Sequence, residues 1–260
     1  MIHSNDKDKS LVFSSAIFLY VFLPVVLLLY YALDQRYRNF LLLCASLLFY
    51  AWGEPKYVVL MILSIIMNWI IGLIMSKSRH QKVEFIVLSV GVTLNLLILI
   101  YYKYFGFLIE NLNMIMDKTN PFINVTTPIL PIGISFMTFH SISYLVDIYK
   151  KEANAVKNPL NMGVYISLFP QLVAGPIIRY HDVAEQIEHR SNTLTLFASG
   201  LERFVFGLAK KILIANTLGE VADVVFSTPT DNLSFSAAWL GIVCYTFQIY
   251  FDFQDIQIWP

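Results

Sequence analysis

Few residues in this chain are able to do acid–base or nucleophilic work, and His140 stands out among them by where it lies. It sits inside "LPIGISFMTFHSISYLVDIYK", a stretch with the composition of a membrane helix. An ionisable group at that depth is costly and counts as a functional candidate by default. A neutral imidazole bonded to a neighbouring helix is the alternative, and the sequence leaves both open. The other histidines read as solvated: His3 in the N-terminal tail, His80 in the basic loop "SKSRHQK", and His181 and His189 in "RYHDVAEQIEH". Asp147 lies beside Lys150 and Lys151 and is expected to form a helix-end salt bridge with them. Asp252 stands in the aromatic run "IYFDF", where an acid needs a buried partner or a wet cavity. No Ser/Asp pair completes a hydrolytic triad around His140. Gly-rich phosphate loops, metal-ligand spacings and Cys/His nucleophile pairs are missing too, so no metal is expected.

The elements that must position these residues are apolar helices. Hydrophobic residues make up 57% of the chain and charged residues 14%, against about 25% charged in a soluble domain. The formal net charge is zero, so no basic field points to a nucleic-acid partner. Hydrophobic segments fall at 11–33, 38–52, 57–76, 84–109, 129–149, 160–178, 196–218 and 235–253, and a bilayer crossing takes roughly 20 helical residues. This predicts a single all-α polytopic membrane domain over 1–260. Cys44 and Cys244 lie within apolar runs and read as small buried hydrophobes. The N-terminus lacks the basic start and small-residue cleavage site of a signal peptide.

Basic loops alternate with poor ones. Arg36 and Arg38, then Lys77, Arg79 and Lys82, then Lys150, Lys151 and Lys157 mark rich loops, while 53–56 and 110–127 hold one lysine each. The bias of Lys and Arg to the cytoplasmic side predicts the N-terminus outside, with the polar stretch 110–127 outside as well. From 159 onward the apolar pattern is interrupted by Pro170 and by Gly175-Pro176. Proline removes a helix hydrogen bond, and broken backbone at membrane depth needs protein or a wet cavity around it. Residues 160–180 are therefore expected to form a kinked or re-entrant element. Further on, Arg203, Lys210 and Lys211 fall near one helix face. That face fits either an interfacial amphipathic helix or a basic wall for an anionic donor.

Three stretches carry a resemblance: "LLFYAWGEPKYVVLMILSIIMNWIIGLIM", "LPIGISFMTFHSISYLVDIYK" and "SLFPQLVAGPIIRYHDV". They closely resemble the membrane-bound O-acyltransferase (MBOAT) family, in particular its alginate O-acetyltransferase branch, with the D-alanyl-lipoteichoic acid transferase as a cousin. The resemblance runs from about residue 13 to Phe253. It implies a ring of tilted helices in the cell's inner membrane, crossing many times. A cytoplasmic donor, acetyl-CoA or an acyl carrier, would acylate an extracytoplasmic polysaccharide, commonly through a periplasmic or extracellular acetyltransferase partner. No tightly bound cofactor is implied. His140 departs from the resemblance, because similar proteins often have Gln there, which argues against its being the family's catalytic base.

The family's catalytic histidine stands in a motif like "RRWHISLS", which these residues do not contain; it is expected beyond Pro260. Similar chains continue after "YFDF" roughly as "SGYSDMA", whereas this one reads "QDIQIWP". Deleting one T from codons for F-S-G-Y-S-D-M-A yields F-Q-D-I-Q-I-W, and any next base completes proline. The tail 254–260 is therefore expected to be a frameshifted ending, and the chain an inactive N-terminal part. Pro170, Gln171, Gly175, Pro176 and Arg179 are expected to shape the donor and acceptor path, Arg179 as a planar cation for donor phosphates, with Asp252 lining the core. A helix break with a snorkelling arginine accounts equally for that group. D-alanyl transfer to teichoic acid, a transporter with broken helices and a non-catalytic scaffold remain as rival readings.

Overall fold

The computed structural model describes residues 15–116, 127–172, 178–190, 193–229 and 233–254. Among these the regular structure is entirely helical. The described residues fall into two compact units, one within 24–172 and 178–189, the other within 15–23 and 190–254.

In the first unit, α1 (Leu23–Ala32) and α2 (Gln35–Gly53) lead to a 3₁₀ turn at Pro55–Tyr57 and α3 (Val58–Lys77). Pro55 opens that turn where its missing N–H costs nothing. Pro55–Lys77 and α4 (Gln81–Lys103) are each 23 residues and apolar enough to cross a bilayer. Phe18–Ala32 and Phe105–Ile115 are shorter apolar helices. The segment expected over 84–109 is divided: α4 ends at Lys103, and α5 (Phe105–Met116) begins after Tyr104. Tyr104 adopts φ −115°, yet its N–H still donates to Ile100 O at 2.9 Å, so the chain bends there without losing a bond. The polar stretch expected to begin at 110 is helical through Met116, and 117–126 lie outside the described residues.

The spanning helices are inverted relative to those of a soluble protein. Leu63, Ile74, Phe85 and Ile86 are more than half exposed, whereas Asn68 and Asn95 are almost completely buried. The two asparagines bond reciprocally between α3 and α4, Nδ2 to Oδ1 at 3.2 and 2.7 Å. Their remaining amide hydrogens go to the Ser64 and Gly91 carbonyls one turn back. Apolar faces outward and satisfied amides inward are what a hydrocarbon solvent selects.

The first unit packs around α6 (Ile134–Tyr149), which lies against α3, α4, α7 (Pro159–Ser167) and α9 (Tyr180–Glu188). Gly72 on α3 makes this approach close, since a Cβ there would run into the Tyr144 ring and hydroxyl. Gly133 caps the start of α6 at φ +76°, and its bare Cα faces the Leu172 carbonyl. Any other residue there would meet both an unfavourable φ and that oxygen. At the other end Lys151 takes φ 62°, the left-handed conformation that commonly ends helices.

In the second unit, α10 (Leu194–Lys210) is capped by Thr193, whose Oγ1 accepts from Leu196 N–H at 3.2 Å. A π-helical turn, Lys211–Ala215, joins it to α11 (Asn216–Ser227), which packs on α12 (Phe235–Gln254). Both cysteines are free. Cys244 is buried as expected, but Cys44 is exposed because it falls on the outward face of α2.

Candidate functional site

The broken element is built from α7 (Pro159–Ser167) and the four-residue α8 (Phe169–Leu172). Asn158 caps α7, its side chain accepting from Leu160 N–H at 3.0 Å, and Pro159 takes the first helical position. The helix breaks at Leu168, whose ψ of 118° is extended. Pro170 accounts for the place, because it cannot donate to the Ile166 carbonyl and its ring excludes a continuous turn. The amide of Phe169 donates instead to Ser46 Oγ on α2 at 3.2 Å, and both residues are buried. Pro170 is buried and Gln171 half-buried, while Gly175 and Pro176 lie outside the described residues.

Behind the break lies an aromatic cluster. Tyr165 on α7 stacks edge-on against Tyr180 at 5.1 Å and against His140 at 5.6 Å, and Tyr180 meets Tyr144 at 5.1 Å. The Tyr165 hydroxyl donates to the Ile178 carbonyl at 3.1 Å, and the Tyr144 hydroxyl accepts from Val156 N–H at 3.3 Å. Burial, reinforced by the Glu188 charge, pushes the Tyr180 phenol up to about 12, so it keeps its proton at neutral pH. His140 is fully buried on α6 among these rings.

Arg179 is exposed at the N-cap of α9 (Tyr180–Glu188) and makes no ion pair among the described residues. Two residues on, His181 corrects the sequence reading, for it is not a solvated loop histidine. Its backbone N–H donates to Asp147 Oδ2 at 3.0 Å, and its Nδ1 lies 3.2 Å from the same oxygen. Asp147 is buried and meets neither Lys150 nor Lys151, contrary to expectation. Lys150 reaches Glu152 at 3.9 Å, and the left-handed turn swings Lys151 onto the nearly buried Glu84 of α4 at 2.8 Å. Asn39 fixes the far end of α9: its Nδ2 donates to Ile187 O and to Asn161 Oδ1 on α7.

In the second unit, Asp252 has its partner. Lys211 Nζ donates to Asp252 Oδ1 at 2.7 Å, with the side chains 22% and 27% exposed. Lys211 therefore does not share a free basic face with the exposed Arg203. It stands in the π-helical turn, which displaces it from the α-helical register.

Neither ionic pairing had a sequence signal, since the partners are 34 and 41 residues apart. Asp252 asked for a partner, but nothing in the sequence singled out Lys211 as the answer.

The sequence model described as "MBOAT, membrane-bound O-acyltransferase family" matches residues 44–258. The chain is 43% identical over 247 residues to the "Probable alginate O-acetylase AlgI" of Pseudomonas syringae pv. tomato, covering 94% of this chain and 47% of that protein. It is 43% identical over 250 residues to the Azotobacter vinelandii protein of the same name, covering 94% and 49%. The "Peptidoglycan O-acetyltransferase" of Helicobacter pylori is 33% identical over 276 residues, covering 94% and 52%. The chain thus spans about half the length of the curated relatives it matches. No solved structure matches it.

Proposed function

The chain belongs to the membrane-bound O-acyltransferase family, and we propose that it forms part of an enzyme that acetylates an extracytoplasmic polysaccharide such as alginate. The donor is cytoplasmic, acetyl-CoA or an acyl carrier, and a periplasmic acetyltransferase completes the transfer. The observation that carries this reading is similarity to alginate O-acetylases along 94% of the chain. The peptidoglycan O-acetyltransferase relative keeps peptidoglycan as a second acceptor.

Within this reading the described residues bind and orient. The α7–α8 break supplies fixed backbone beside the acyl path, with Pro170 setting the bend and Gln171 at its edge. Arg179 offers an exposed fork of N–H donors to the donor's phosphates. The Lys211–Asp252 pair lines the core of the second unit. The family's histidine motif is absent from these residues, so residues 1–260 alone do not turn over. The N-terminus lies outside, with the Lys77–Lys82 loop cytoplasmic; impermeant thiol labelling of a cysteine placed at Ser78 reads this directly.

Membranes carrying either residues 1–260 or a longer chain that continues into the family's histidine motif, each with a periplasmic acetyltransferase, are given radiolabelled acetyl-CoA. Label is expected in polysaccharide only for the longer chain. Label from residues 1–260 alone would refute the inactivity, and its absence from both would refute acetyl transfer.

A further inference from the structure

Where α6 ends and α9 begins, one imidazole is surrounded by carboxylates. His181 Nδ1 is 3.2 Å from Asp147 Oδ2 and 3.7 Å from Glu152 Oε2, while its Nε2 is 3.1 Å from Asp182 Oδ1. The ligand atoms of Asp147, Glu152 and His181 all lie within 4.8 Å of one another. We propose that Asp147, Glu152 and His181 form a binding site for a divalent transition-metal ion of the zinc type, latching the end of α6 to the start of α9.

Distances separate this from a simple ion pair. One Nδ1–H serves two carboxylates poorly, and charge-assisted N–H···O bonds run about 2.7–2.9 Å. Both Nδ1 separations are longer than that. A tetrahedral ion about 2.1 Å from each ligand sets its ligands about 3.4 Å apart, and 3.2 and 3.7 Å bracket this value. The third edge closes by rotation of Glu152, whose side chain is 40% exposed.

The outer contacts also favour an ion. His181 Nε2 lies 3.1 Å from Asp182 Oδ1; with the ring proton on Nε2 toward that carboxylate, the Nδ1 lone pair faces Asp147 and Glu152, the arrangement common behind metal-bound histidines. The His181 backbone N–H holds Asp147 Oδ2 at 3.0 Å and orients it. Lys150, 3.9 Å from Glu152 and more than half exposed, competes weakly. Lys151 is engaged by Glu84. Asp147 supplies a buried anchor, and Glu152 leaves a route from solvent. One imidazole and two carboxylates suit borderline ions better than soft thiophilic ones.

The test is a Co²⁺ titration of the purified full chain in detergent, followed by visible absorption and metal analysis after desalting. One equivalent per chain is expected, with the intense visible bands of tetrahedral cobalt, displaced by Zn²⁺. His181→Ala is expected to abolish the bands. Glu152→Gln, at an exposed position that does not endanger folding, is expected to weaken Co²⁺ binding at least tenfold. Lack of stoichiometric binding by the wild-type chain, or unchanged binding by Glu152→Gln, would overturn the proposal and leave His181 as a side chain bonded to Asp147.

Discussion

The Asn68–Asn95 pair in the first unit and the Lys211–Asp252 pair in the second bury polar groups by opposite means. The asparagines are neutral, nearly inaccessible, and answer every amide hydrogen with an oxygen. Such a pair orients two helices at almost no electrostatic cost. The ion pair has a single 2.7 Å bond, remains about a quarter exposed, and is set in a π-helical turn. Taking two charges out of water costs more than their attraction returns unless further bonds help. The neutral pair accordingly reads as packing, and the charged one ties α12 to the π-helical turn at a desolvation cost.

The sharpest way to break this contrast is to place a charge where neutrality is required. Asn68→Asp leaves a carboxylate facing the Asn95 oxygen, and thermal unfolding in detergent should report a loss of several kcal/mol. Next in size, Lys211→Met strands Asp252 and should lose about 1–3 kcal/mol. Pairing it with Asp252→Leu should recover most of that loss. A double variant no more stable than Lys211→Met would show that the stranded carboxylate is not its source. Asn68→Leu should cost less, about 0.6–1.7 kcal/mol, the range of interhelical hydrogen bonds in membranes.

Smallest is the effect at Glu54, half-buried between α2 and α3. Burial raises its carboxyl, and a hydrogen bond with the Ile132 backbone partly offsets this. The folded state holds that proton more tightly than the unfolded chain, so stability is greatest below the unfolded value and declines as pH rises through the folded one. Glu54→Gln should flatten that decline in unfolding curves between mildly acidic and neutral pH. An unchanged slope would assign it to other groups.

What the sequence revealed depended on the range of the signal. Helix α3 was legible because Val58–Lys77 is apolar almost without interruption. The division at Tyr104 was not, since an aromatic residue is equally at home inside a helix. Pro170 was visible as a breaker, but the bend falls two residues before it, at Leu168, because proline acts on the turn that precedes it. His181 looked solvated among its polar neighbours, and only the packing of α9 on α6 brings it to Asp147. The resemblance to acyltransferases was readable for a related reason, in that it rests on contiguous blocks rather than on distant pairs.

The bond from Phe169 N–H to Ser46 Oγ has a mechanical consequence. A hinge needs two shapes of similar energy. Here the straight shape would force Pro170 into a helix interior, at about 3 kcal/mol, and would surrender the serine bond as well. The bend between α7 and α8 is therefore a bracket with one stable setting. Any movement within the first unit must be taken up by its other elements.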